Sequence, residues 1–347
     1  MKSISQKLDL GEIHSDDKMV MRVITQKELE KKLENMYVLI ATSDLGLPDL
    51  LEKALQKTIP KLISFENFLK QNNFQMLRFD YDPPFHGTFV VQPFRAIKKV
   101  DEWIIKETEE RNIVTQNRFT NEEIKIPIKS LVRGLRRPSR TNKFDITEIL
   151  DYLLISPFGN ANRMIKNVNV LKEWKNYVKP RLAHILLSRR LDISAVGTSA
   201  IAFYSSIPTV GAHMWSIKGA DDECAKVITL WLNSTLNLLS MLVNRTETRG
   251  AWMVIHSYAI GKCLVLNSEM LTRDERETLL NLFIKSHSCS FSSILEQLRT
   301  AFAPRVEIDK AILKILGFND DEINQLLDYL YPALANEIEQ LKTLMEG

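Results

Sequence analysis

Residues 204–252 read YSSIPTVGAHMWSIKGADDECAKVITLWLNSTLNLLSMLVNRTETRGAW, and this stretch decides the class of the chain. A turn-rich aromatic segment runs into an apolar helix over residues 223–243. Asn233, Ser234, Thr235 and Asn237 interrupt that helix, and a polar turn follows it. A polar side chain buried without a partner costs about 1–3 kcal/mol. A helix that only fills a core would not carry four of them, so the cluster is expected to meet partners. The same interruption argues against a membrane span in the most apolar window, Val227 to Val243.

Outward from this stretch, strand patterns are expected at FQMLRFDY (74–81), GTFVVQPF (87–94), DYLLIS (151–156), SAIAFYSS (199–206) and AWMVIHSY (251–258). Helices are expected at LPDLLEKALQKTI (47–59) and VLKEWKNYVKPRLAHILL (170–187). The predicted architecture is an α/β domain of mixed α+β character followed by an all-α C-terminal helical region. Residues 1–45 form a lead-in or docking segment, with a charged helix at QKELEKKLENM and a brief strand at YVLIA. Residues 46–267 form the α/β domain and residues 268–347 the helical region. In the latter, Thr272 and Glu275 make a capping box, and Ile308, Ala311, Ile312, Ile315 and Leu316 make one apolar stripe. Gly317 stops that helix, and Asn319 with Glu322 opens the next, which carries Ile323, Leu326, Leu327 and Leu330.

Composition sets the class. A chain of 347 residues, 45% apolar and 26% charged, matches an ordinary soluble protein with room for two or three domains. The three cysteines, Cys224, Cys263 and Cys289, form no C-x-x-C pair, which argues against a disulfide framework or a structural zinc site. With no apolar signal-peptide core near the start, a cytoplasmic location is expected. The histidines lack i, i+4 spacing, so no metal site is expected, and neither a P-loop nor a G-x-S-x-G occurs.

Charge is unevenly spread. The net charge is +3, yet Ile124 to Arg190 holds fifteen Lys+Arg against four Asp+Glu, so the rest of the chain is acidic. The densest part, KIPIKSLVRGLRRPSRTNK, carries Lys125, Lys129, Arg133, Arg136, Arg137, Arg140 and Lys143 without one acid. Gly134, Pro138 and Ser139 mark it as a loop rather than a helix face. A solvated surface loop is the competing reading for any one basic run. Here a second basic region follows over Arg163 to Arg190, and two in one domain suit a polyanion such as a nucleic-acid backbone.

Candidate catalytic motifs are incomplete. Asp82-Pro83-Pro84-Phe85 has the form of the D/N-P-P-aromatic loop with which amino-group DNA methyltransferases hold an extruded base. Such enzymes also need a Gly-rich turn for S-adenosylmethionine, and VLIATSDLG offers Gly46 alone. A rigid proline turn is the competing account. Asp101 with Glu123-Ile124-Lys125 fits a metal-nuclease D…E-x-K pattern only loosely, because E-x-K triplets are frequent. No catalytic residue is therefore assigned.

The order RLAHILLSRRLDISAVGTSAIAFYSSIPTVGAHMWSIKG, then ITLWLNSTLNLLSMLVNRTETRGAW, then CLVLN resembles the C-terminal target-recognition region of large N6-adenine DNA methyltransferases of restriction-modification and phage-exclusion systems. The segment RVEIDKAILKILGF is similar to the closing R-x-x-I-D-x-x-V-x-x-L-G-L helix of that family through Arg305, Ile308, Asp309, Leu316 and Gly317. The likeness is firm over residues 181–330 and vaguer over 10–180. The family's Gly-rich cofactor motif and N-P-P-Y loop are missing. What the resemblance implies is a recognition half without its catalytic half. Its partners would be double-stranded DNA and a catalytic methyltransferase domain or subunit that binds S-adenosylmethionine, with no cofactor bound by this chain and no membrane.

Target recognition needs cations that neutralise phosphates and groups aimed at base edges. Phosphate contact is expected of Arg133, Arg136, Arg137, Arg140, Lys143, Arg189 and Arg190. His213 and Trp215 sit in a glycine-flanked loop and either contact DNA or anchor the loop, with anchoring favoured for Trp215. Asn233, Ser234 and Thr235 either contact DNA or cap an internal helix contact. Arg245 and Arg249, bracketing Glu247, are available to a phosphate if that turn is exposed. A divergent self-contained adenine methyltransferase using Asp82 to Phe85 and a protein-interaction scaffold without DNA stand as alternatives.

Overall fold

The computed structural model describes residues 13–15, 20–22, 25–26, 61–79, 88–91, 103–135, 138–139, 141–155, 176–245 and 248–346. The helices expected at 26–36 and 47–59, the strand at 37–41, and the Asp82 to Phe85 and Arg163 to Lys175 segments lie outside these residues, apart from Gln26.

In chain order, β1 (Ile13–Ser15) and β2 (Val20–Arg22) form an antiparallel ribbon. β3 (Leu62–Ser64), α1 (Phe65–Gln71), β4 (Gln75–Phe79) and β5 (Thr88–Val91) follow. A meander comes next, of β6 (Trp103–Thr108), β7 (Asn112–Asn117) and β8 (Glu123–Pro127). Then come β9 (Val132–Leu135), β10 (Asp151–Ile155), β11 (Ala183–Ser188), β12 (Arg190–Asp192), β13 (Ala202–Gly211) and β14 (Met214–Lys218). The long apolar stretch forms α2 (Asp222–Asn233) and α3 (Thr235–Val243). After it come β15 (Thr248–Arg249), β16 (Trp252–Val254), α4 (Ser257–Lys262) and β17 (Leu264–Leu266). The chain ends in α5 (Arg273–His287), α6 (Ile294–Arg299), α7 (Ala303–Ile315) and α8 (Asp320–Glu346). The class is therefore mixed α/β with helices collected at the C-terminus, as expected.

The main sheet has the order β4-β14-β11-β13-β9-β10-β5 and is antiparallel except for the β13–β9 pair. Besides the β1-β2 ribbon, the described residues form three smaller sheets, β12-β16-β15, β17-β3 and the β6-β7-β8 meander. β11 lies near the middle of the main sheet, and five of its six residues are buried. A strand covered on both faces reads as a continuous apolar run rather than an alternation. That ambiguity corrects one expectation: the helix predicted over 170–187 survives among the described residues only as one turn at 176–178, and Ala183–Ser188 is a strand. Pro180, in the short 3-10 turn Lys179–Arg181, marks the change, since proline cannot donate into a continuing helix.

The interrupted helix is a bent pair. α2 and α3 meet at 63° at Ser234, which closes one helix and opens the other. The Ser234 N–H donates to the Trp231 carbonyl at 2.9 Å, and its hydroxyl accepts from the Asn237 N–H at 3.2 Å. α2 packs on β11 and β13, and every residue from Val227 to Val243 is buried. Among the described residues no single helix is long and apolar enough to cross a membrane.

One hydrophobic cluster runs from Leu62 through the sheet and α2 to Leu341 in α8, so the core crosses the change from strands to helices near residue 267 without a break. The C-terminal boundaries follow the local signals. Thr272 and Glu275 form the capping box at 2.9 and 3.3 Å. Gly317, at φ +92, ends α7 in the left-handed region, and Asn319 and Glu322 exchange two bonds of 2.9 Å ahead of α8.

All three cysteines are reduced; Cys224 and Cys263 are buried and Cys289 is half-buried. Burial pushes the Cys263 thiol up to about 12 and raises that of Cys224, so neither forms the reactive thiolate near neutral pH. A thiol reagent counted by mass spectrometry is expected to label one cysteine, Cys289, in the folded protein and all three after denaturation. Rapid native labelling of Cys263 would contradict this packing.

Candidate nucleic-acid interface

Backbone pairing gathers residues that lie far apart in sequence. At the end of β13, Val210 pairs with Gly134 and Gly211 with Leu135. The Ala212 N–H then donates to the Leu135 carbonyl at 2.8 Å. The basic segment therefore leaves the sheet beside the turn that carries His213. That residue is exposed, and its φ of +55 lies in the left-handed region that few non-glycine residues adopt. Its N–H donates to the carbonyl of Phe79, the last residue of β4, at 3.1 Å. Two segments of interest, one basic and one holding Asp82 to Phe85, thus depart from residues bonded to a single turn.

The next strand adds to this edge. Met214 pairs with Ser188, so Arg189 follows directly. The Arg189 carbonyl accepts from the Ile255 N–H at 2.7 Å, and the Ile255 carbonyl accepts from the Trp215 indole N–H at 3.0 Å. Trp215 is half-buried against the core, and this bond ties β14 to the segment after β16.

No family model matches the sequence, and no curated protein matches it. The fold is similar to part of a solved structure, that of the type IIG restriction endonuclease BpuSI. The TM-score is 0.52 at 12% sequence identity, and the match covers 94% of this chain and 36% of that one. At that identity the likeness is one of fold. The chain spans little more than a third of the length of the protein it matches.

Several expected contact residues have other roles. Asn233, Ser234 and Thr235 are 4%, 1% and 0% exposed, so the expectation that they reach DNA is corrected to the internal alternative. The Asn233 Oδ1 accepts from the Ile201 and Ala202 N–H groups at 2.8 and 3.2 Å. Its Nδ2 donates to the Ala202 and Thr229 carbonyls at 2.8 and 2.9 Å. The Thr235 N–H and hydroxyl donate to the two oxygens of Asp309 in α7, at 2.8 and 2.5 Å. The amide-hydroxyl cluster is the joint between the bent helix pair, the sheet and the C-terminal helices.

Arg245 is also corrected. It lies 3.6 Å from Glu337 of α8, with the two side chains 12% and 2% exposed. Burial lowers its pKa against the opposing pull of Glu337. Arg189 is buried at 9% exposure, which removes it as a simple surface phosphate ligand. The Arg133 Nη2 donates to the Leu150 carbonyl at 3.0 Å, tying β9 to the residue before β10. Arg190 is exposed and Lys143 half-buried. Arg249 occupies the position opposite Trp252 in the β15–β16 ladder. Arg136, Arg137 and Arg140 lie outside the described residues.

The structure adds residues to which no site role was given. AWMVIHSY was expected as a strand, and its Trp252 and Tyr258 prove to be 43% and 59% exposed. His256 stacks on Tyr258 with ring centroids 5.3 Å apart and planes 18° apart. Ala251, Trp252 and Met253 are all apolar, so the sequence carries no alternation that would mark Trp252 as the exposed one. A separate cleft of about 590 Å³ is lined by residues of the C-terminal helical region, from Leu298 to Glu339. Of its four charged side chains, Arg299 and Glu339 pair with each other, and Lys310 and Asp328 are the other two. Among the described residues no three His, Cys, Asp or Glu side chains are grouped to hold a metal ion.

Proposed function

We propose that this chain is the DNA target-recognition module of an adenine-N6 DNA methyltransferase system, binding duplex DNA and presenting it to a catalytic domain or subunit. The observation that carries the reading is the fold likeness, which takes in 94% of this chain yet only 36% of a restriction endonuclease. Such a proportion suits one functional part of a larger assembly. The sequence resemblance over residues 181–330 points the same way, and the basic segment supplies the charge that duplex DNA demands.

In this reading the segment over Arg133 to Lys143 meets phosphates and fixes position, while the His213 turn, bonded to Leu135 and Phe79 through its backbone, faces a groove. S-adenosylmethionine is assigned to the partner, because this sequence has no Gly-rich turn to receive it. Repeated selection from a pool of random duplexes tests the reading. The chain is expected to enrich one short sequence; a pool that stays random after several rounds of retained binding would reject a specificity role.

A second reading, a divergent self-contained methyltransferase, draws on the bond between the His213 N–H and Phe79, which starts the Asp82 to Phe85 segment from the same edge. Calorimetric titration separates the two. Micromolar binding of S-adenosylmethionine to the isolated chain supports the enzyme, and no binding supports the module.

A further inference from the structure

The outer face of the β12-β16-β15 sheet is built differently from an ordinary solvated surface. In antiparallel ladders, residues directly opposite share a face. Leu191 opposite Met253 forms the inner row, at 6% and 3% exposure. The outer row therefore carries Trp252 opposite Asp192, and Val254 opposite the exposed Arg190. The Asp192 carboxylate is engaged by its own turn, accepting from the Ser194 N–H at 2.9 Å and hydroxyl at 2.7 Å. Shortly after β16, His256 occupies the N-cap position of α4, whose Tyr258 and Lys262 stand four residues apart and are both exposed. Trp252 and Arg190 thus share the outer row of the sheet, and the stacked His256 and Tyr258 rings with Lys262 follow on the segment that leaves β16. The link of this face to the candidate interface runs through the Ile255 backbone, whose N–H donates to the Arg189 carbonyl and whose carbonyl accepts from the Trp215 indole.

We propose that this face is a stacking platform for DNA bases that have left the duplex stack. The inference rests on the DNA-binding reading and deepens it. Paired bases show a protein only their edges, in the grooves, whereas an aromatic ring recognises the flat face of a base. Trp252 and Tyr258 offer such faces, and Arg190 and Lys262 supply the charge that holds the accompanying phosphates. A module that helps hold DNA open beside the target would need both.

The test compares a fully paired duplex with the same duplex carrying a short central bubble of unpaired bases. Affinities are read by fluorescence anisotropy for the full chain and its Trp252→Leu and Tyr258→Leu variants, with thermal melting to confirm folding. The wild-type chain is expected to prefer the bubble, and each variant to lose about 10-fold in bubble affinity with little change for the paired duplex. Neither side chain belongs to the buried core, so the variants should fold; quenching of tryptophan emission by the bubble, diminished in Trp252→Leu, gives a second readout on the wild-type fold. Tight duplex binding with no bubble preference, or variants that keep it, would overturn the platform while leaving the recognition reading intact. Failure of the wild-type chain to bind either DNA would overturn both.

Discussion

Replacing Asp309 by alanine is expected to cost about 3–5 kcal/mol of folding stability, the range for breaking a buried charged network by removing one member. Asp309 is 2% exposed and Arg305 is 3% exposed. The carboxylate accepts from the Thr235 N–H at 2.8 Å, the Thr235 hydroxyl at 2.5 Å and the Tyr331 hydroxyl at 2.6 Å. Arg305 donates through Nε to the Thr235 hydroxyl oxygen at 2.9 Å and through Nη1 to Gln297 at 2.8 Å. Gln297 in turn donates to the Ser199 and Ser292 carbonyls at 2.9 and 2.6 Å. Removing Asp309 would leave a helix N-terminus, the Thr235 hydroxyl and the Tyr331 phenol buried without their acceptor, and would take the one carboxylate from the network that holds the Arg305 guanidinium through Thr235. Asp309→Asn keeps one acceptor oxygen and should fall between alanine and wild type. Urea unfolding with an unchanged slope is the measurement, and a loss below about 1 kcal/mol in the alanine variant would remove the network from its structural role.

Asn233→Ala is expected to cost about 3 kcal/mol, because it leaves the Ile201 and Ala202 N–H groups and the Ala202 carbonyl buried without the side chain that serves them. The asparagine acts as a short piece of extra strand, pinning the end of α2 to the start of β13. Its second consequence concerns function. A side chain 4% exposed cannot read DNA from inside the core, so the folded Asn233→Ala protein should bind DNA with wild-type affinity once its stability is taken into account. A variant that kept its stability but lost DNA binding would reverse this assignment and return Asn233 to base readout.

The local features were largely legible in the sequence. Caps and breakers such as Thr272, Gly317 and Asn319 act within a few residues, and the structure uses them where the pattern puts them. The need for partners at Asn233 to Asn237 was legible too, but the partners were not. Asp309 lies 74 residues beyond Thr235, and no spacing rule reaches that far. AHILLS failed for a related reason, since an apolar run without alternation fits a buried helix as well as a central strand. The β8 segment EIKIP alternates exposed and buried residues, a strand signal that the surrounding charge obscured.

At the site the reverse held. The basic run was visible as composition, whereas its attachment beside His213 depends on parallel pairing of β9 with β13, whose paired residues lie 76 positions apart in the chain. Exposed aromatics such as Trp252 read in sequence as core residues, because tryptophan is mostly buried and only the strand register turns this one outward.

In the proposed function the chain grips the phosphates of duplex DNA through its basic segment. The most direct test of that grip is the equilibrium affinity for duplex DNA measured across a series of salt concentrations, for the wild-type chain and for an Arg136→Ala, Arg137→Ala, Arg140→Ala triple variant. Log affinity should fall linearly with log salt, with a slope of about −0.9 for each phosphate neutralised, and the triple variant should bind more weakly with a distinctly flatter line. A triple variant that retains full affinity and the full slope would contradict the account.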